Sequence, residues 1–408
     1  MKLRTHILLM LLCFSWMISF SQNTVEFRQL RGENVPTQSI TYAVANDSLG
    51  NVWIASEEGV LKHNSEFYKI YNSYNGLPDI IGNRIKEVFV DAEQRIWIGS
   101  EKGICLYNAN LDVFEFVESA ENYNPSLIDV IVEDDNHNIW AGGYNGLWRY
   151  DENESSRKFI RILSNHNVQA LHHTKDKLVF GTQRGVFYYN NETNLVEEVE
   201  IASEEKNIRF IISFNEQILI GTKTGALYQI DNEQRIASQV NLDFQLSDAI
   251  TDIIKNSDNT FLLATDGDGI YKINSDFKKI DHYTENPNEA YSISSNGIYD
   301  ITWDSEGILW AATYGGGLNY FNSGELPFQN IRHKINDENS IITNFTRAIA
   351  KDKNGNIWFG TKKGVSILDT RNNSWKHIKS LSKSGNDEDV IVLALEPDDN
   401  FMCTGVEE

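Results

Sequence analysis

Hydrophobic positions in this chain recur as a phrase. Residues 352–365, DKNGNIWFGTKKGV, resemble residues 91–104, DAEQRIWIGSEKGI, and residues 47–60, DSLGNVWIASEEGV. The slot held by Trp falls at Trp53, Trp97, Trp140, Val179, Leu219, Leu262, Trp310 and Trp358, in steps of 39 to 48 residues. A glycine follows six or seven places later each time: Gly59, Gly103, Gly146, Gly185, Gly225, Gly269, Gly317 and Gly364. Four short pieces recur within each copy. In the second copy they are RIKEVFVD, RIWIGS, GICLYN and VFEFVE. Each alternates or runs apolar, is rich in β-branched and aromatic residues, and is bounded by Asp, Asn or Gly, which predicts strands. No segment carries a helical period. Four strands per copy and no helix predict one blade of a β-propeller.

The repeated residues then acquire structural roles. Asp47, Asp91, Asp134, Asp304 and Asp352 stand six places before a tryptophan, and Gly50, Gly307 and Gly355 stand three before one. This is hairpin chemistry, with Asp bonding the turn backbone and Gly taking positive φ. The Trp predicts packing between neighbouring blades, and the later glycine a tight second turn. The expected fold is all-β: a seven-bladed β-propeller of four-stranded antiparallel blades over residues 22–325, then the first blade or two of a second propeller over 326–408. VEFRQL (25–30) is similar to a fourth strand but precedes the first full copy. It is expected to close the ring by pairing with the seventh blade, residues 297–322, removing two sheet edges. PFQNIRH (327–333) would open the second propeller, and VLALEPDDNFMCTG begins a ninth copy in which the chain ends. One eight-bladed ring is the competing count.

Composition narrows the class. Hydrophobic residues are 41% and charged residues 23%, which fits a folded core. The formal net charge is −22, so nucleic acid is not expected as a direct partner, although acidity also serves plain solubility. Residues 1–21 read as a secretory signal peptide: Lys2 and Arg4 lead an apolar run from Ile7 to Phe20, with Ser19 and Ser21 at a cleavage site. That run is short for a bilayer span, and no other apolar run suggests a membrane anchor. The cysteines, Cys13, Cys105 and Cys403, form no disulfide framework. Export with few cysteines suits a bacterial periplasm.

The phrase D-x-x-G-N-I-W-F-G-T-x-x-G-V resembles the two-component regulator propeller repeat. The resemblance runs over residues 25–408; the fourth, fifth and sixth copies depart from it by lacking the Trp. It implies the N-terminal periplasmic sensor region of a hybrid two-component histidine kinase of Bacteroidetes type, in which two seven-bladed propellers usually precede an immunoglobulin-like domain, a membrane helix and a kinase core. No kinase His-box or nucleotide-binding glycine cluster is found in this chain, so its own expected role is binding rather than catalysis. A small-molecule or oligosaccharide ligand and a receptor homodimer are the implied partners.

Strand parity places candidate binding positions. Loops joining strands two and three share a face with those leading to the next blade, and they vary most between copies: SEEG, SEKG, GYNG, TQRG, TKTG, TDGDG and TYGGG. Residues that differ between blades can read one specific ligand. A sugar wants aromatic faces with amides, carboxylates and Arg for its hydroxyls. Tyr144, Asn145, Arg184, Asp266, Asp268 and Tyr314 supply these near the channel rim, and the longer loops of the sixth and seventh copies point first to that sector. Residues 286–296 and 336–344 would wall it. No metal or other cofactor is expected: Asp266-Gly-Asp-Gly lacks the further carboxylates of a calcium loop, and the adjacent His172 and His173 face opposite sides of a strand. No nucleophile elbow or Cys/His pairing occurs. A propeller hydrolase or lyase acting on polysaccharide, and a surface protein-interaction scaffold, are the alternatives.

Overall fold

The computed structural model describes residues 25–407 apart from 32–37, 65–67, 153–156, 165, 175–176, 192, 202, 215–216, 232–234, 290, 323–330, 332, 335–336, 373, 380–390 and 398–401. The expected signal peptide, and residues 327–330 and 332 of the expected opening of a second propeller, lie outside the described residues. The chain divides into two compact units, Met1–Gly324 and Glu325–Glu408.

The first unit is built of antiparallel blades, each with its strands in chain order. The first blade runs Thr41–Asn46, Val52–Ser56, Gly59–His63 and Tyr68–Tyr71. Six further blades start with inner strands Ile85–Val90, Ile128–Glu133, Val168–Thr174, Ile208–Phe214, Ile250–Lys255 and Ile298–Trp303. The seventh draws its fourth strand from the other end of the chain. Arg28–Gln29 pairs antiparallel with Leu318–Asn322, aligning Arg28 with Tyr320 and Gln29 with Asn319. Each inner strand contacts the next, and the seventh contacts the first, so the ring of a seven-bladed propeller closes. The outer strands of blades four and five also pair in parallel, Glu200 with Ile236 and Ile201 with Ala237.

The core lies between blades rather than within them. Trp53 of blade one packs with Ile81, Ile85 and Val88 of blade two. Trp97 packs with Ile128 and Ile131 of blade three, and Trp140 with Val168 and Leu171 of blade four. Val179, Leu219 and Leu262 fill the same slot in the next three clusters. Trp310 completes the circuit against Val44 and Ile54 of blade one. Burying an indole removes about 150–250 Å² from water, on the order of 4–6 kcal/mol at the usual coefficient.

Among its described residues the second unit contains one four-stranded blade, Thr346–Lys351, Ile357–Thr361, Gly364–Asp369 and Ser374–Ile378, and a two-stranded pair, Ile391–Pro397 with Met402–Glu407. No helix occurs among the described residues.

Candidate functional site

Every inner strand of the ring carries the same irregularity. In blade one, Thr41 faces Ser56 and Ala43 faces Ala55, so Tyr42 is an extra, unpaired residue. The same one-residue slip singles out Lys86, Asp129, Gln169, Arg209, Thr251 and Tyr299. A bulge bends its strand and re-aims the extra side chain. All seven line one central cavity of about 490 Å³. The backbone device repeats while the side chains vary: Tyr in the neighbouring blades seven and one, and Lys, Asp, Gln, Arg and Thr in the others.

Behind this ring lie Ala43, Glu87, Val130, Ala170, Phe210, Asp252 and Asp300, also lining the cavity. The three acids there serve an edge problem, because an inner strand leaves backbone N–H groups unpaired toward the channel. Asp300 Oδ2 accepts the N–H of Val44 from the neighbouring blade at 2.7 Å. Asp252 likewise accepts from the Ile301 N–H of its neighbour and, at 2.8 Å, from Ile253. Burial pushes Asp252, Asp300 and Glu87 above the usual carboxylate range. Asp252 and Asp300 hydrogen-bond each other, which takes a proton between the two carboxyl groups, and burial raises both. Two carboxylates this close cannot both ionise.

The rim is braced by polar contacts. Tyr42 and Tyr299 stack with centroids 5.7 Å apart. Arg84 donates to the Tyr42 hydroxyl at 2.9 Å and pairs with Glu101 at 2.9 Å. Lys86 pairs with Asp129 across blades two and three at 3.1 Å. Arg209 is exposed at the rim, where its charge is felt by Asp266, whose carboxyl is raised chiefly by burial.

The six loop residues singled out in the sequence do not form one rim group. Asp266 lines the central cavity. Tyr314 stands beside it, 55% exposed, its ring meeting Tyr299 edge-on at 6.1 Å. Asp268 is occupied in its own loop, accepting the Ser247 N–H and hydroxyl, each at 2.7 Å. Tyr144, Asn145 and Arg184 line a separate cleft of about 550 Å³ between blades three and four. Within it Asn145 holds a loop, accepting from Ser126 N–H and Trp148 Nε1 and donating to the Asn124 carbonyl. The shared face is visible in bonds between its loops: Glu57 N–H to the Ile40 carbonyl, Lys223 to Asn207, Tyr314 to Gly297. His172 is largely buried, which lowers its pKa to about 4, and it contributes to neither cavity. Among the described residues no cluster of His, Cys, Asp and Glu suits a metal ion.

The bulge residues lie inside strands, away from the variable loops that the repeat makes conspicuous. Their signal was a slip in alternation, with two successive polar or aromatic residues inside a strand: Lys86-Glu87, Thr251-Asp252, Tyr299-Asp300.

Residues 292–315 and 340–363 match the Two component regulator propeller family. The chain is similar to the extracellular domain of the putative hybrid two component system BT3049 from B. thetaiotaomicron, with 21% identity and a TM-score of 0.65, over 94% of this chain and 58% of that one. It is also similar to the extracellular domain of BT4673, described as a putative one component system, from the same organism: 18% identity, TM-score 0.62, over 92% of this chain and 50% of that one. U3-55K shares the fold at 10% identity and a TM-score of 0.55, over 73% of this chain and 98% of that one. This chain therefore spans about half to three-fifths of the length of the two extracellular domains. No curated protein matches it. Among the described residues no helix is long and apolar enough to cross a membrane.

Proposed function

We propose that this chain, which carries two-component regulator propeller repeats, is the periplasmic ligand-sensing part of a two-component signal-transduction receptor. Its ligand would be an oligosaccharide bound at the mouth of the central channel. The observation that carries this reading is the ring of bulge residues: seven blades each aim one side chain into one cavity, with Tyr at two positions and Lys, Asp, Gln, Arg and Thr at the others. The stacked Tyr42 and Tyr299 offer aromatic faces to a sugar, and Gln169, Thr251, Arg209 and Asp266 offer hydrogen bonds to its hydroxyls.

The mechanism is binding, not bond-making. A ligand touching several inner strands favours one packing of the blades over another, and it shifts the equilibrium by its difference in affinity for the two. In a full-length receptor, a homodimer with a kinase core would read that shift.

Calorimetry with a panel of neutral oligosaccharides tests the reading, using Arg209→Ala and Asp266→Ala, two residues facing the channel. A ligand whose affinity falls at least tenfold in both variants supports it. Equal affinity in both variants, or no binding by any member of the panel, overturns the channel assignment.

One observation favours a second reading, a glycan hydrolase or lyase. The Asp252–Asp300 pair places two hydrogen-bonded carboxyl groups together in the channel, both raised by burial. Their bonds to backbone N–H groups weigh toward a structural role. Incubation with candidate glycans decides it: cleavage by the native chain that is lost in Asp252→Asn favours the enzyme.

A further inference from the structure

The cleft between blades three and four differs in charge from the rest of the molecule. The chain holds 58 Asp and Glu against 36 Lys and Arg. Yet the residues lining this cleft include Arg161, Arg184 and His166, and no carboxylate among the described residues. Arg161 is fixed by packing, its guanidinium 4.4 Å from the Tyr123 ring and 5.7 Å from that of Trp148. Arg161 also makes a long, partly exposed ion pair with Glu121 at 3.9 Å, which a ligand anion can displace, and a stacked guanidinium presents its N–H fork to a planar anion. Arg184 is exposed on the next blade.

The cleft also holds unmet polar and apolar demand. Among the described residues Asn167 Oδ1 is buried with no hydrogen-bond partner. A buried acceptor left unpaired costs about 1–3 kcal/mol, and a ligand hydroxyl would satisfy it. His166 donates Nδ1–H to the Ser164 carbonyl at 2.9 Å, which leaves Nε2 as a hydrogen-bonding position. Phe187, stacked on Phe180 at 5.3 Å, and Tyr144, 63% exposed, provide apolar walls.

We infer that this cleft binds an acidic saccharide, one carrying carboxylate or sulfate groups beside free hydroxyls. Arg161 and Arg184 take the anionic groups, Asn167 a hydroxyl, and Tyr144 and Phe187 the apolar sugar faces. The site is separate from the channel and does not depend on the reading of the channel.

The test is calorimetry on the full chain with four probes: a tetragalacturonate, a heparin-derived tetrasaccharide, maltotetraose and inorganic sulfate. At least one acidic tetrasaccharide is expected to bind. Its identity separates carboxylate from sulfate recognition, with maltotetraose at least tenfold weaker. Arg184→Ala, at an exposed position, is expected to weaken binding at least tenfold, with Arg184→Lys intermediate and melting temperature unchanged. Raising salt from 50 to 300 mM should weaken it further. The channel variant Asp266→Ala should leave this binding intact, so failure here and failure in the channel are distinguishable. Equal binding of maltotetraose, indifference to Arg184→Ala, loss through Asp266→Ala, or no acidic probe binding at millimolar concentration overturns the inference. Sulfate binding alone, without either acidic tetrasaccharide, overturns it as well.

Discussion

Asp91 Oδ2 accepts the indole N–H of Trp97 at 2.8 Å, across the hairpin that joins the first two strands of blade two. The same bond links Asp47 to Trp53, Asp134 to Trp140, Asp304 to Trp310 and Asp352 to Trp358, at 2.8 to 3.0 Å. Each of these carboxylates also accepts backbone N–H groups of its turn, as Asp91 does from Arg95 at 2.8 Å. One side chain therefore shapes the turn and satisfies the polar atom of an indole, which at Trp53, Trp97, Trp140 and Trp310 is buried between blades. Where the slot holds Val179, Leu219 or Leu262, the position six before is His173, Ser213 or Asn256. Without an indole N–H, the carboxylate is not required.

Asp91→Ala should accordingly lose more than a turn contact. Hydrogen bonds to a charged group contribute about 1.5–3 kcal/mol each, and the buried indole N–H would be left unpaired. The expected loss is about 3 kcal/mol by urea unfolding. A double-mutant cycle with Trp97→Phe should return a coupling of about 1–3 kcal/mol. A coupling near zero would show that the turn alone needs the acid.

In several blades the glycine after the second strand answers to a close approach, though at Gly185 only the Glu198 side chain lies near, at 3.8 Å, and the positive φ of +141° is the constraint. At Gly59, with φ at +128°, an added Cβ would lie 2.0 Å from the Tyr71 carbonyl oxygen of the fourth strand. Gly146 meets the Leu163 carbonyl and Gly364 the Ile378 carbonyl at 2.0 and 2.2 Å. Gly50, with φ at +78°, has open space around it. Gly59→Ala should cost well over 3 kcal/mol or prevent folding, whereas Gly50→Ala should cost about 1 kcal/mol from backbone strain alone. Denaturation midpoints of the two variants check this; equal midpoints would remove the close approach as the reason for the glycine.

The fold was legible because its devices are local and repeated. The strands, the turn Asp and the slot glycine each appear within a dozen residues of sequence. Left-handed turn residues were legible only where glycine marks them; Gln94 and His137 take φ of 65° and 63° in the same turn position without announcing it. The binding surface was less legible, since it depends on where blades come together. Asn145 reads as a loop amide, yet its bonds are consumed by Asn124, Ser126 and Trp148. Tyr144 and Asp266 look equivalent in the repeat but open into different cavities. The bulge residues were hidden inside strands, where alternation normally decides inside from outside.

The acid pair in the channel makes stability depend on pH in an unusual direction. Asp300 is pushed up to about 6, chiefly by burial. An unfolded Asp titrates near 3.9. Between these values the folded chain holds a proton that the unfolded chain has released. This contribution is therefore fully present below pH about 4 and is lost as pH rises through about 6. Carboxylates lowered by their partners, such as Asp258 beside Lys272, act oppositely and lose stability as pH falls. Comparing Asp300→Asn with the native chain isolates the pair. The variant should gain melting temperature relative to the native chain at pH 8 and show no gain at pH 4. A constant difference across that range would mean that the pair does not share a proton.

Ring closure concentrates on a short segment, and its energetics can be measured there. Phe27, 2% exposed, lies just before the two residues that complete blade seven. Its ring meets Tyr283 of blade six at 5.7 Å and Phe321 of blade seven at 5.8 Å. Its N–H bonds the Tyr291 carbonyl at 2.9 Å, and the Leu30 N–H bonds the Leu318 carbonyl at 2.8 Å. Two ladder pairs alone are a weak clasp, so the buried ring should supply most of the closure. Phe27→Ala is expected to cost about 3–5 kcal/mol, the usual range for a buried Phe. Because blades one and seven meet beside this strand, hydrogen exchange should rise first at their contacting strands, Thr41–Asn46 and Ile298–Trp303. Exchange that rises uniformly around all seven blades would instead mean that the ring opens as one cooperative unit, with closure no weaker than any other blade contact.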